Sequence, residues 1–163
     1  MKLTVERAAL LKSLGHVHRV VERRNTIPIL ANVLIRADKS TLSLKATDLD
    51  LEVIESLAAE TGATGAATVP AHMFYDIVRK LPEGSEIELL RDGEQGRLTI
   101  TAGPAQFSLQ TLPADDFPAL SVDDLGHSFR IGLDAFGQLV DGPGAELNDQ
   151  LDKTGVFEVG DDL

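Results

Sequence analysis

The sequence predicts an α+β domain in which two helices pack on two antiparallel sheets, the second half repeating the first. Three observations predict it. Two amphipathic helical stretches are each followed by three short alternating runs. No helical stretch separates the runs within a triple, which favours hairpin-linked antiparallel strands over parallel crossovers. The chain has 163 residues, 43% hydrophobic and 25% charged, a globular composition able to bury a core without disulfides or metals.

In order, Lys2–Val5 alternates as a first strand. Leu10, Leu14, Val17 and Val21 recur at helical spacing, so a helix is expected from Arg7 to Val21. Pro28 ends the region, since the residue before proline avoids helix. Asn32–Ala37, Thr41–Ala46 and Leu49–Leu57 have strand composition, with Asp38-Lys39-Ser40 as a turn. Gly62, Gly65 and their small neighbours are expected to form a loop before an extended run over Ala66–Val69. Pro70 opens a second helix, Ala71 to Leu81, with Phe74, Ile77, Val78 and Leu81 as its core stripe. Three alternating strands come next, at Glu86–Arg91, Arg97–Ala102 and Gln106–Leu112. The pseudo-repeat is about sixty residues long and lies in element order rather than residue identity. Residues 113–127, rich in Pro and Asp, read as a linker. The expected domains are 1–125 and a stub, 126–163, whose acidic, Gly-rich end from Asp141 is expected to be poorly ordered.

The formal charge of −11 taken alone argues against a nucleic-acid partner. Its distribution argues otherwise. Residues 1–24 hold Lys2, Arg7, Lys12, Arg19, Arg23 and Arg24 against Glu6 and Glu22, net +4; the remainder is −15. On a helical wheel Lys12, His16, Arg19 and Arg23 fall within about 60° of one another, roughly opposite the apolar stripe. A solvated surface helix would show the same period, but such a face normally mixes signs. No carboxylate lies between Arg7 and Val21. Cationic helices without a base-reading constellation suit phosphate contact without sequence recognition.

Other chemistry finds little support. There is no cysteine, which excludes disulfides and thiolate metal sites and fits a reducing compartment. No apolar run nears the ~20 residues of a membrane span, and Met1–Arg7 lacks a signal-peptide core. A soluble, cytoplasmic protein with no membrane partner is expected. No phosphate-binding glycine loop or nucleophile elbow is present. Asp48 and Asp50 would share one face of a strand and could meet a metal, though an acidic strand edge explains them as well. His16 and His18 lack the i, i+4 spacing of a helical zinc pair. Aromatics total 4%, too few for a base-stacking platform. No enzyme active site, metal or cofactor is expected.

Several stretches carry a family resemblance: Met1-Lys2-Leu3-Thr4-Val5-Glu6-Arg7, Thr26-Ile27-Pro28-Ile29-Leu30-Ala31-Asn32, Leu42-Ser43-Leu44 with Ala46-Thr47-Asp48-Leu49, Val69-Pro70-Ala71, Leu81-Pro82-Glu83-Gly84, and Phe107-Ser108-Leu109 with Thr111 to Pro118. In order and spacing they resemble the N-terminal domain of the bacterial sliding clamp, the beta subunit of DNA polymerase III holoenzyme. The resemblance implies a DNA clamp domain, one of three similar domains per subunit. Two subunits join head to tail around duplex DNA, helices lining the hole and sheets outside. Such a ring is a processivity factor in DNA replication, without catalytic activity; its partners are other clamp subunits, the replicative polymerase and the clamp loader.

By position, the resemblance makes Arg24 a DNA-contacting residue and Arg79 a basic inner-face residue. His72 stands where well-known members place a DNA-contacting arginine, which weakens that contact or makes it pH-dependent. Phe107 and Leu109 match apolar residues of the subunit interface. Pro104 and Gln106 replace flanking basic residues, removing inter-subunit ion pairs there. The resemblance fades after Ile131, so a partial chain is expected, lacking the partner-peptide pocket between the second and third domains. The alternative expectation is a single-domain module of the same fold that caps or modulates full-length clamps.

Overall fold

The computed structural model describes residues 1–93 and 96–119, together with the backbone of Gly155–Glu158. The element order is β1 (Lys2–Glu6), α1 (Arg7–Val17), β2 (Asn32–Asp38), β3 (Thr41–Thr47), β4 (Leu51–Ala58), β5 (Glu60–Ala63), β6 (Gly65–Pro70), α2 (Ala71–Lys80), β7 (Glu86–Asp92), β8 (Arg97–Ala102), β9 (Ala105–Gln110) and β10 (Gly155–Glu158). Short 3₁₀ turns lie at His18–Val20, Pro28–Ala31 and Ala114–Asp116.

The strands form two five-stranded sheets, ordered β5-β1-β7-β8-β9 and β10-β4-β3-β2-β6. Pairing is antiparallel throughout, except that β10 runs parallel to β4. The repeat units are β1-α1-β2-β3-β4 and β6-α2-β7-β8-β9. Each unit's leading strand joins the other unit's triple: β1 pairs β7, and β6 pairs β2. This exchange makes the two halves one domain rather than two lobes.

Alternation places one face of each sheet inward. In the first sheet Leu3 lies opposite Leu89, Leu89 opposite Ile100, and Leu98 opposite Leu109. In the second, Val33 faces Val69 and Ile35 faces Leu44. These residues join Leu10, Leu14 and Val17 of α1 and Phe74 and Val78 of α2 in one buried core. Phe74 is fully buried. The helices pack on each other, and α1 also lies against β3 and β4.

Three expectations are corrected. The first helix stops at Val17, not Val21: His18–Val20 tightens into a 3₁₀ turn and Val21 is extended. The two β-branched valines add little helical preference, and the Val21 carbonyl is taken by His72 Nε2 at 2.6 Å. Glu60–Ala63 is a strand rather than a loop, Thr61 pairing with Leu3 and Ala63 with Lys2. The chain then crosses between sheets at Gly65, where a Cβ would come within 2.9 Å of Met1 Cβ, so a larger residue would force Met1 to move. Finally, β4 starts at Leu51, and Asp48-Leu49-Asp50 forms a turn with Leu49 at φ 80°. Asp48 Oδ1 accepts from the Asp50 and Leu51 amides at 3.0 and 2.7 Å, an Asx turn. The two carboxylates therefore do not share a strand face. The described residues contain no group of three potential metal ligands.

The expected linker, domain boundary near residue 125 and poorly ordered end lie largely outside the described residues. Within that end, Gly155–Glu158 pairs with Leu51–Ile54. No helix among the described residues is long and apolar enough to cross a membrane.

Candidate nucleic-acid interface

The helix α1 turns Leu10, Leu14 and Val17 inward and exposes Ala8, Lys12 and, just past its end, Arg19. Arg23 and Arg24 are also exposed, but they stand in the turn after Val21. The expected single helical face is therefore two pieces: Lys12 on the helix with Arg19 in the 3₁₀ turn, and Arg23 with Arg24 on the loop beyond it.

His16 is not part of it. Its Nδ1 lies 2.5 Å from Glu55 Oε1, a nearly buried carboxylate on the inner face of β4. Glu55 is 39 positions away in the chain, so helical periodicity could not reveal the pair.

His18, His72 and Tyr75 make a small ring cluster where the two helices meet. His18 stacks on Tyr75 at 3.9 Å between centroids and meets His72 edge-on at 5.4 Å. His18 Nδ1 donates to the Leu14 carbonyl at 2.7 Å. Burial lowers the His18 pKa, aided by the charges of His72 and Arg19 and opposed by hydrogen bonds to the Leu14 and Gly15 backbone. His72 Nε2 faces the Val21 carbonyl and so carries the ring proton. His72 Nδ1 is buried without a hydrogen-bond partner. The ring that the sequence offered to DNA is engaged within the fold, tying α2 to the end of the 3₁₀ turn.

On α2, Met73, Arg79 and Lys80 are exposed. Arg79 lies 3.3 Å from Asp76, one turn back, and 5.8 Å from the Tyr75 ring centroid. Its charge is shared with a carboxylate before any ligand arrives.

The strand β9 ends the first sheet. Phe107 is 40% exposed on it, whereas Leu109 is 3% exposed and belongs to the core. The pairing of Leu109 opposite Leu98 explains this; of the two residues expected at a subunit interface, Phe107 is the exposed one in this chain. Sequence reasoning missed Arg7, nearly buried at the start of α1, whose guanidinium donates to the carbonyls of Val78 and Arg79.

Comparison with known proteins agrees with the sequence resemblance. The family described as DNA polymerase III beta subunit, N-terminal domain, matches residues 1–121. The beta sliding clamp of Caulobacter vibrioides is 51% identical over 141 residues, covering 86% of this chain and 38% of that protein. The beta sliding clamp of Escherichia coli K12 is 48% identical over 121 residues, covering 74% and 32%. The solved structure of Caulobacter crescentus pol III beta superposes with a TM-score of 0.77 at 51% identity, over 86% of this chain and 38% of that one. A Pseudomonas aeruginosa sliding clamp bound to griselimycin gives 0.75 at 39% identity, over 81% and 36%. The chain spans about a third of the length of the curated relatives it matches.

Proposed function

Since the chain belongs to the bacterial sliding clamp family and carries the N-terminal domain of its DNA polymerase III beta subunits, we propose that it supplies the DNA-facing helices of a processivity clamp. In this reading it is a cytoplasmic, non-catalytic protein that contacts duplex phosphate without reading sequence. Residues 1–125 form the first clamp domain and 126–163 begin the second. The observation that carries the reading is the exposure of Lys12, Arg19, Arg23 and Arg24 beside α2 in a chain of net charge −11. Arg79 contributes less because of Asp76, and His72 acts through the fold rather than by reaching a phosphate. The polymerase and clamp loader are partners of the assembled ring.

Exposed Phe107 on the edge strand β9 supports head-to-tail docking with another clamp subunit. The same observation favours the second reading, a module that caps full-length clamps.

The test is fluorescence anisotropy of a labelled duplex with the whole chain over a salt series. The expected result is weak binding whose log affinity falls linearly with log salt, by about 0.9 per phosphate contacted. Binding that is absent at low salt, or insensitive to salt, would overturn the DNA reading. Mixing with full-length subunits separates the second reading: a stoichiometric complex lost in Phe107→Ala supports capping, and no complex refutes it.

A further inference from the structure

We propose that Arg7 is the positioning residue that fixes the C-terminal end of α2, and with it Arg79 and Lys80, beside α1 for contact with duplex phosphate. The proposal rests on the DNA-binding reading above. Arg7 opens α1 and is only 9% exposed. A cation this buried needs compensation, and here backbone oxygens supply it. Nε donates to the Val78 carbonyl at 3.2 Å and Nη2 to the Arg79 carbonyl at 2.7 Å. Both carbonyls belong to the last turn of α2, where the helix dipole is negative and few amides remain to donate; the Val78 carbonyl also accepts from the Leu81 amide at 3.3 Å. The backbone amide of Arg7 donates to the Ser85 carbonyl at 3.0 Å, beyond the Pro82-Glu83-Gly84 turn. One residue therefore clasps the α2–β7 turn from both sides.

The two acceptors lie on consecutive residues of a helix end. A planar guanidinium reaches both with fixed geometry; an ammonium is a point donor on a flexible stem and does not hold them in register. The contacts span 71 and 72 positions of sequence, so they set the relation of α1 to α2 rather than local helix stability. Arg79 and Lys80 are the final residues of α2; the fork grips the carbonyls of Val78 and Arg79, the second of which leads directly into Lys80.

The test uses Arg7→Lys in the whole chain, with two readouts. Amide hydrogen exchange at Arg79, Lys80 and Leu81 is expected to rise about tenfold or more, while Leu44 and Ile100 in the sheets stay protected. The salt slope of duplex binding is expected to fall by about 1 to 2, the share of Arg79 and Lys80. Unchanged exchange at the end of α2 overturns the proposal. So does raised exchange with an unchanged salt slope, which leaves Arg7 a structural tie only. If wild type shows no salt-dependent binding, the DNA reading fails, and with it the phosphate part of this proposal; exchange then decides the clasp alone. If Arg7→Lys does not fold, the wild-type Arg7 Nε proton decides: slow exchange supports the clasp and solvent-rate exchange refutes it.

Discussion

The helices α1 and α2 hold equivalent places in the two repeat units, yet they treat their cations differently. Around α1 the exposed side chains include Lys12 and Arg19, continued by Glu22, Arg23 and Arg24 on the next turn, and Glu55 faces inward to His16. On α2 the acid is on the outside: Asp76 takes Arg79 within its own helix. Four exposed cations with Glu22 among them thus mark the α1 side, and Arg79 and Lys80 with Asp76 the α2 side. Charge on a helix face is decided by where the nearest carboxylate points, which a charge count along the chain does not register.

The largest expected effect tests whether the two helices share one core. Phe74→Ala should cost about 3–5 kcal/mol in urea unfolding, because the ring is fully buried in the core that α2 shares with α1 and the sheets. A loss below about 1 kcal/mol would mean that α2 is not seated as described. A smaller effect should come from Asp76. Asp76→Asn should free Arg79 and raise duplex affinity at low salt by a few-fold. Unchanged affinity would show that Arg79 does not face the duplex.

The smallest effect concerns the ring cluster joining the helices. Burial lowers the His18 pKa in the folded chain below its unfolded value. The unfolded chain then binds more protons as pH falls below about 6.5, so stability declines with acidification through that range and is constant above it. Thermal unfolding between pH 5 and 8 checks this. Replacing His18 with Phe should flatten the decline; a variant with the same pH profile as wild type would remove His18 as its source.

Much of the fold was legible because strands and helices announce themselves by period. Leu42-Ser43-Leu44 and Leu98-Thr99-Ile100 alternate cleanly, and Phe74 and Val78 keep helical spacing. The illegible parts depended on distant partners. β5 has Gly62-Ala63 where a strand usually has branched residues, and only its pairing with β1 makes it one. The end of α1 is set by His72, 51 positions beyond Val21. The candidate interface was legible in outline, since the cluster of basic residues in 1–24 is a sequence property. Its details were not. His16 is turned inward by Glu55, His72 is held by a carbonyl, Leu109 is buried by its register with Leu98, and Arg7 is a clasp rather than a surface charge.

The most direct test of the α1 side as the DNA contact is the salt slope of duplex binding in a chain with Lys12, Arg19, Arg23 and Arg24 all changed to Ala, compared with wild type by anisotropy. At about 0.9 per phosphate contact, the slope should fall by roughly 2 to 4, with the folded spectrum by circular dichroism retained. A folded variant with wild-type affinity and slope at low salt would contradict it.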